Sequence, residues 1–143
     1  MEYRRFTRFS DVILVRMDPG EEIVEQVRAV AELEGVKLAS VEALGAVNDF
    51  TVGVYDLEAK EYHSNRFQGP YEIVSLTGTI STMDGAFYQH LHMSAGDGQG
   101  RVFGGHLNAA VVSATCEMVI RVIHGRVDRY HDPDVGLNLF KFL

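Results

Sequence analysis

The sequence predicts an α+β domain in which two strands and one main helix precede a long series of strands in a mostly antiparallel sheet. Three observations carry this prediction. Only the segment from Ile23 to Glu34 spaces its apolar residues at a helical period. From Lys37 onward the chain is rich in Val, Ile, Tyr, Phe and Thr, with turn signals between the runs. Helices do not recur between those strands, which argues against alternating βαβ units.

Taken in order, Arg4 to Phe9 and Val12 to Met17 read as short strands, the second nearly continuous in apolar residues. Asp18-Pro19-Gly20-Glu21-Glu22 reads as the helix entry, with Asp18 as the cap and both glutamates in the first turn. Ile23, Val27, Val30, Ala31 and Leu33 follow helical spacing, and Gly35 is a suitable stop. Strands are then expected over Lys37–Gly45, Phe50–Leu57, Glu61–Phe67 and Tyr71–Ser81. Asn48-Asp49, Glu58-Ala59-Lys60 and Gln68-Gly69-Pro70 supply the turns between them. Phe87–Ala95, Val102-Phe103, Val111–Ile123 and Arg126–His131 continue the strand pattern, with room for at most one more short helix. No linker, repeat or low-complexity tract divides the chain, so residues 1–143 read as a single domain. The Phe140-Lys141-Phe142-Leu143 end is apolar enough to dock on the domain or on a neighbouring subunit.

Composition narrows the function classes. The chain has 143 residues, 46% of them hydrophobic and 23% charged, which is a globular composition. Cys116 is the single cysteine, so an intrachain disulfide framework is excluded. No signal peptide pattern or bilayer-spanning run is present, and a soluble cytoplasmic protein is expected. The net charge of −7 argues against direct nucleic-acid binding, whose affinity comes from neutralising phosphates. Arg4, Arg5 and Arg8 cluster near the start, and a phosphate patch is weighed there against a solvated strand face or ion pairs at a subunit contact. The acidic total favours the strand face or the subunit contact.

The chemistry is concentrated in Tyr88-Gln89-His90-Leu91-His92-Met93-Ser94 and the glycine-rich stretch that follows it to His106. On a strand, His90 and His92 project from the same face, while Leu91 and Met93 face the apolar side. Imidazoles about 7 Å apart along one strand can converge on one ion. His106 follows Gly104-Gly105, where the absent side chains let the backbone pack closely. Three histidines with an open fourth position suit zinc, and equally nickel, cobalt or iron. Spacing alone leaves a metal site and a hydrogen-bonded structural cluster both open.

These residues match a known pattern. His90-Leu91-His92, the glycine loop and Gly104-Gly105-His106-Leu107 together resemble the plants-and-prokaryotes-conserved (PPC) domain. Leu14 to Ile23 looks like that family's strand–turn–helix opening, and Ala43 to Val47 with Val52 to Asp56 like the strand pair after it. Glu72 to Ile80 matches its central strand, so the resemblance spans essentially the whole chain. It implies an α+β homotrimer whose metal ligands, zinc by usual assignment, would be His90, His92 and His106. The family fold is also similar to acetolactate decarboxylase, a zinc enzyme with histidine ligands, and fold likeness alone does not carry a reaction across. Plant members place the domain after AT-hooks centred on Arg-Gly-Arg-Pro. Here the nearest fragment, Gly125-Arg126, lacks the flanking residues.

Glu42 is considered as a fourth ligand or general base, and Asp97 as an acceptor orienting an imidazole. A surface glutamate and a self-satisfied turn aspartate are the favoured readings of these two. His63, His124 and His131 stand apart from the motif and are expected to be structural or solvated. The sequence lacks a Gly-x-Ser-x-Gly elbow, and Gly96-x-Gly98-x-Gly100 opens no helix. The expectation is a metal-binding domain of open role. It could serve as a zinc-dependent lyase or hydrolase on a small carbonyl substrate, as a module with protein partners, or, least favoured, as a DNA-associated regulator.

Overall fold

The computed structural model describes residues 1–142. In chain order the elements are β1 (Glu2–Phe6), β2 (Val12–Met17), α1 (Ile23–Leu33), β3 (Ala39–Asp56), β4 (Glu61–Met83), β5 (Ala86–Gly96), β6 (Val102–Val122), β7 (Asp128–Asp132) and β8 (Leu137–Lys141). The α+β expectation holds, with every strand pair antiparallel. Among the described residues there is no second helix, and α1 is neither long nor apolar enough to cross a membrane.

The order in the main sheet is β1-β2-β6-β3-β4-β5, and β5 also pairs with the start of β6. Strands β3, β4, β5 and β6 therefore close into a ring at one end. Closure needs strong curvature, and β3 supplies it through register shifts near Gly45, Asn48 and Thr51. These irregularities explain three corrections to the expected strands. The turn-type residues Asn48-Asp49 and Gln68-Gly69-Pro70 lie inside continuous strands of 18 and 23 residues. Gly69 and Pro70 fall between the register partners Val47↔Tyr71 and Asp49↔Gln68, so the missing proline N–H costs no ladder bond. Likewise β6 runs unbroken over 21 residues where two short strands were expected.

The helix entry also differs from expectation. Asp18-Pro19-Gly20-Glu21 forms a turn closed by the Glu21 N–H donating to Asp18 O at 3.2 Å, with Gly20 at φ +89°. The cap falls instead on Glu22, whose carboxylate accepts from the Val24 and Glu25 N–H groups and from Ala110 N–H of β6. Gly35, at φ +64°, ends the helix with its own N–H and that of Val36 returned to Glu32 and Ala31 carbonyls. Ile23, Val27, Val30 and Ala31 are fully buried against the sheet. Ile13, Met17, Ile80, Leu91, Met118 and Ile120 face them from the strands.

The first strand is shorter than expected, ending at Phe6. Arg5 is held by Asp11 at 2.7 Å and Glu34 at 2.9 Å, ion pairs made within the chain where a subunit contact or a solvated face was expected. Beyond the sheet, β7 and β8 form a separate hairpin. Strand β8 lies beyond the expected strands and forms by pairing with β7. The expected docking of the chain's end is met at Phe140, whose ring packs on Arg129 at 4.3 Å. Phe142 remains 75% exposed, and Leu143 lies outside the described residues.

Candidate metal centre

Strand alternation puts Leu91 and Met93 in the core at 2% exposure each and turns His90 and His92 to the opposite face. His92 is the register partner of His106 across the β5–β6 pair, and His106 is the partner of Gly53 on β3. The ring of strands thus closes on the histidines. Gly105 makes this closure possible, because a Cβ there would lie 2.5 Å from the carbonyl oxygen of Gly53. The close backbone approach expected ahead of His106 is present.

The ligating atoms of His90, His92 and His106 all lie within 4.8 Å of one another. The Nε2 atoms of His90 and His92 are 3.2 Å apart. Two nitrogens at about 2.0–2.1 Å from a tetrahedral ion would be separated by roughly 3.3 Å, so this pair already has a chelating span. A set of three imidazole nitrogens fits zinc and its neighbours in the first transition series. Burial, reinforced by His106, His92 and Arg129, pushes the His90 imidazole down to about 4. Burial and then His92 lower His106 as well. Both rings are therefore neutral at ordinary pH, which is the form that binds a metal.

The triad lies on the wall of a cavity of about 950 Å³ between the outer face of the sheet and the β7–β8 hairpin. Tyr62 crosses over Gly53 to present its ring edge-on to His106, with centroids 6.0 Å apart. Its hydroxyl donates to Asn108 Oδ1 at 2.6 Å. Arg129 reaches the cavity from β7, clamped between the Tyr88 and Phe140 rings. Neither Tyr62 nor Arg129 was singled out from the sequence. Both arrive through long-range pairing, which no local pattern in the sequence signals.

The remaining candidates separate cleanly. Glu42 is exposed and pairs with Arg121 at 3.2 Å. It shares a row with His92 through Thr77, two strand spacings or roughly 10 Å away, and is not part of the cluster. Asp97 accepts from the Gln99 and Arg101 N–H groups and the Arg101 side chain, a turn satisfied within itself. His63 is an exposed strand residue, and His124 contacts Asp11 at 3.1 Å. His131 departs from its expected separation: it lines the same cavity as the triad, with Nδ1 3.1 Å from Asn138 Oδ1. Cys116 is fully buried, and its thiol is pushed up to about 12, first by burial and then by Glu117.

Comparison with known proteins agrees with this picture. The family model of the Plants and Prokaryotes Conserved (PCC) domain, the PPC domain named above, matches residues 4–124. A metal-containing protein from Archaeoglobus fulgidus is 33% identical, with a TM-score of 0.85 over 99% of this chain and 97% of that one. A candidate DNA-binding protein from Bacteroides thetaiotaomicron is 29% identical, with a TM-score of 0.93 over 99% and 96% of the two chains. Acetolactate decarboxylase from Bacillus subtilis shares the fold alone, at 15% identity and a TM-score of 0.60, over 92% of this chain and 59% of that one. Among curated sequences, a bifunctional GlmU protein from a Synechococcus strain is 29% identical over 125 residues, 85% of this chain. The chain spans only 19% of that relative's length.

Proposed function

The chain belongs to the Plants and Prokaryotes Conserved domain family, and on that premise we infer that it binds one divalent transition-metal ion, zinc first, through His90, His92 and His106. The observation that carries this reading is the convergence of three imidazole nitrogens within 4.8 Å on a cavity wall. Support comes from the lowered proton affinity of His90 and His106, which removes competition from protons. The metal content of the Archaeoglobus relative is consistent with it. When bound, such an ion would supply Lewis acidity to a small carbonyl substrate, the catalytic form of this reading. The protein's own part would be to hold the ion on rigid strands and to shape the cavity beside it.

A homotrimer belongs to the same proposal. Leu14, Leu44 and Val74 are 46%, 59% and 61% exposed, apolar surface that assembly would cover. The net charge of −7 and the engagement of Arg5 by Asp11 and Glu34 weigh against duplex DNA as a direct partner.

The test is the metal content of purified protein by plasma mass spectrometry, beside a His90→Ala/His92→Ala variant. About one divalent ion per chain, lost in the variant, is the expected result. Metal-free protein in both samples, even after zinc is offered, would overturn the reading.

A further inference from the structure

Arg129 is a buried cation that has no counter-ion among the described residues. Its residue is 6% exposed, yet among the described residues no carboxylate comes within ion-pair distance of it. Its Nε donates to Ser81 Oγ at 2.9 Å, Nη1 to the Asn138 carbonyl at 2.8 Å and Nη2 to Thr79 Oγ1 at 3.3 Å. All three acceptors are neutral. Two of the guanidinium's five N–H groups are left over. Arginine stays protonated even when burial lowers its proton affinity, as it does here, so the charge must be met in some other way. A buried charge left unpaired destabilises the fold strongly.

The cavity sharpens the point. Arg129, four histidines and three tyrosines line it, and no aspartate or glutamate does, in a chain whose net charge is −7. An ion held by three neutral imidazoles would keep its full double positive charge in that same space. Thr79 ties the two cationic centres together, being hydrogen-bonded to Arg129 and in register with His90. Tyr88 and Phe140 stack on the guanidinium at 4.7 and 4.3 Å, which fixes its plane. A fixed plane with spare N–H donors suits the two oxygens of a carboxylate. Leu137, Leu139 and Phe140 add apolar wall, suited to an organic body more than to a bare oxyanion.

We propose that this cavity binds a small organic carboxylate, whose carboxylate group sits on Arg129 and whose other end faces His90, His92 and His106. The orientation toward the histidines rests on the metal reading above, whereas the anchoring on Arg129 does not. The probe is butyrate, with butyramide as its uncharged counterpart and inorganic phosphate as the competing anion. Each is titrated into metal-free and zinc-treated protein and followed by saturation-transfer NMR and thermal unfolding.

Butyrate is expected to bind and to raise the unfolding temperature, while butyramide does neither. Arg129→Gln should weaken butyrate at least tenfold while zinc content stays at the wild-type level. Arg129→Lys, which keeps the charge without the fork, should fall between the two. Equal responses to butyrate and butyramide in wild-type protein would overturn the proposal, and that comparison stands even where Arg129→Gln fails to fold. So would undiminished butyrate binding in Arg129→Gln, or phosphate binding more tightly than butyrate. Arg129-dependent butyrate binding in protein that takes up no zinc would sink the metal reading alone. Zinc uptake without any butyrate response would sink this one alone.

Discussion

Thr79 stands opposite His90 across the β4–β5 pair and at the same time accepts a hydrogen bond from Arg129 Nη2 at 3.3 Å. One threonine on the sheet's outer face therefore joins the histidine cluster to the β7–β8 hairpin. The buried Ser81 hydroxyl, two residues along β4, accepts from the same guanidinium at 2.9 Å. The hairpin is thus not an appendage. It is pinned across the histidines by a cation that sits on two hydroxyls of the opposing strand, and it forms the cavity's second wall.

The strand closure that assembles the triad depends on Gly105. A Cβ there would lie 2.5 Å from the Gly53 oxygen and 3.1 Å from its carbonyl carbon, both backbone atoms that cannot step aside. Gly105→Ala is expected to cost about 1–3 kcal/mol, the usual range for overpacking, and, on the proposed metal reading, to lower zinc uptake by displacing the adjacent His106. Gly98→Ala, with nothing within 4 Å of its added Cβ, should stay within about 0.5 kcal/mol of wild type. Thermal denaturation and metal analysis of the two variants check this, and equal effects would deny the close approach its role.

Acid stability should follow the Arg5 cluster. Hydrogen bonding to Arg5 holds the Asp11 carboxyl below the usual carboxylate range, and Arg5 followed by Tyr3 does the same for Glu34. A carboxyl whose proton affinity is lower folded than unfolded stabilises the fold above its unfolded value of about 4. That stabilisation is lost as the pH falls through the lower folded value. Arg5→Gln should therefore be less stable than wild type near pH 7, and the gap should narrow below about pH 4. Urea midpoints of both proteins between pH 7 and 2.5 would show it. Parallel curves throughout would mean that these pairs contribute nothing.

The triad was legible because it rests on local rules. His90 and His92 obey the period of two on a strand, and Gly104-Gly105 marks a close approach before His106. Arg129 and Tyr62 were not legible, since their places depend on β7 folding back over β4 and on Tyr62 crossing Gly53 from the neighbouring strand. The long strands were misread for a related reason. Asn48, Gly69 and Pro70 carry turn chemistry, but here that chemistry serves bulges that bend a continuous strand. Sequence pattern reports which backbone is irregular at such places, whereas whether the chain turns back or merely bends is decided by partners far away in sequence.

The last prediction concerns the helix entry, where two acids compete for one role. Asp18 has the residue type expected of a cap, yet its side chain is 47% exposed and pairs with Arg16 at 3.3 Å. Glu22 instead accepts from the N–H groups of Val24 at 3.1 Å, Glu25 at 2.8 Å and the fully buried Ala110 at 2.8 Å. Its carboxylate therefore joins the first turn of α1 to β6. Glu22→Ala removes a cap, typically about 1 kcal/mol, and strands the Ala110 N–H, roughly 1–3 kcal/mol more. Asp18→Ala removes two partly exposed ion pairs, with Arg16 and with the Met1 ammonium, each worth no more than about 1 kcal/mol. Chemical denaturation of the two variants side by side settles the assignment. A larger loss for Asp18→Ala would return the cap to the residue that the sequence pattern favours, and would require α1 to begin earlier than Ile23.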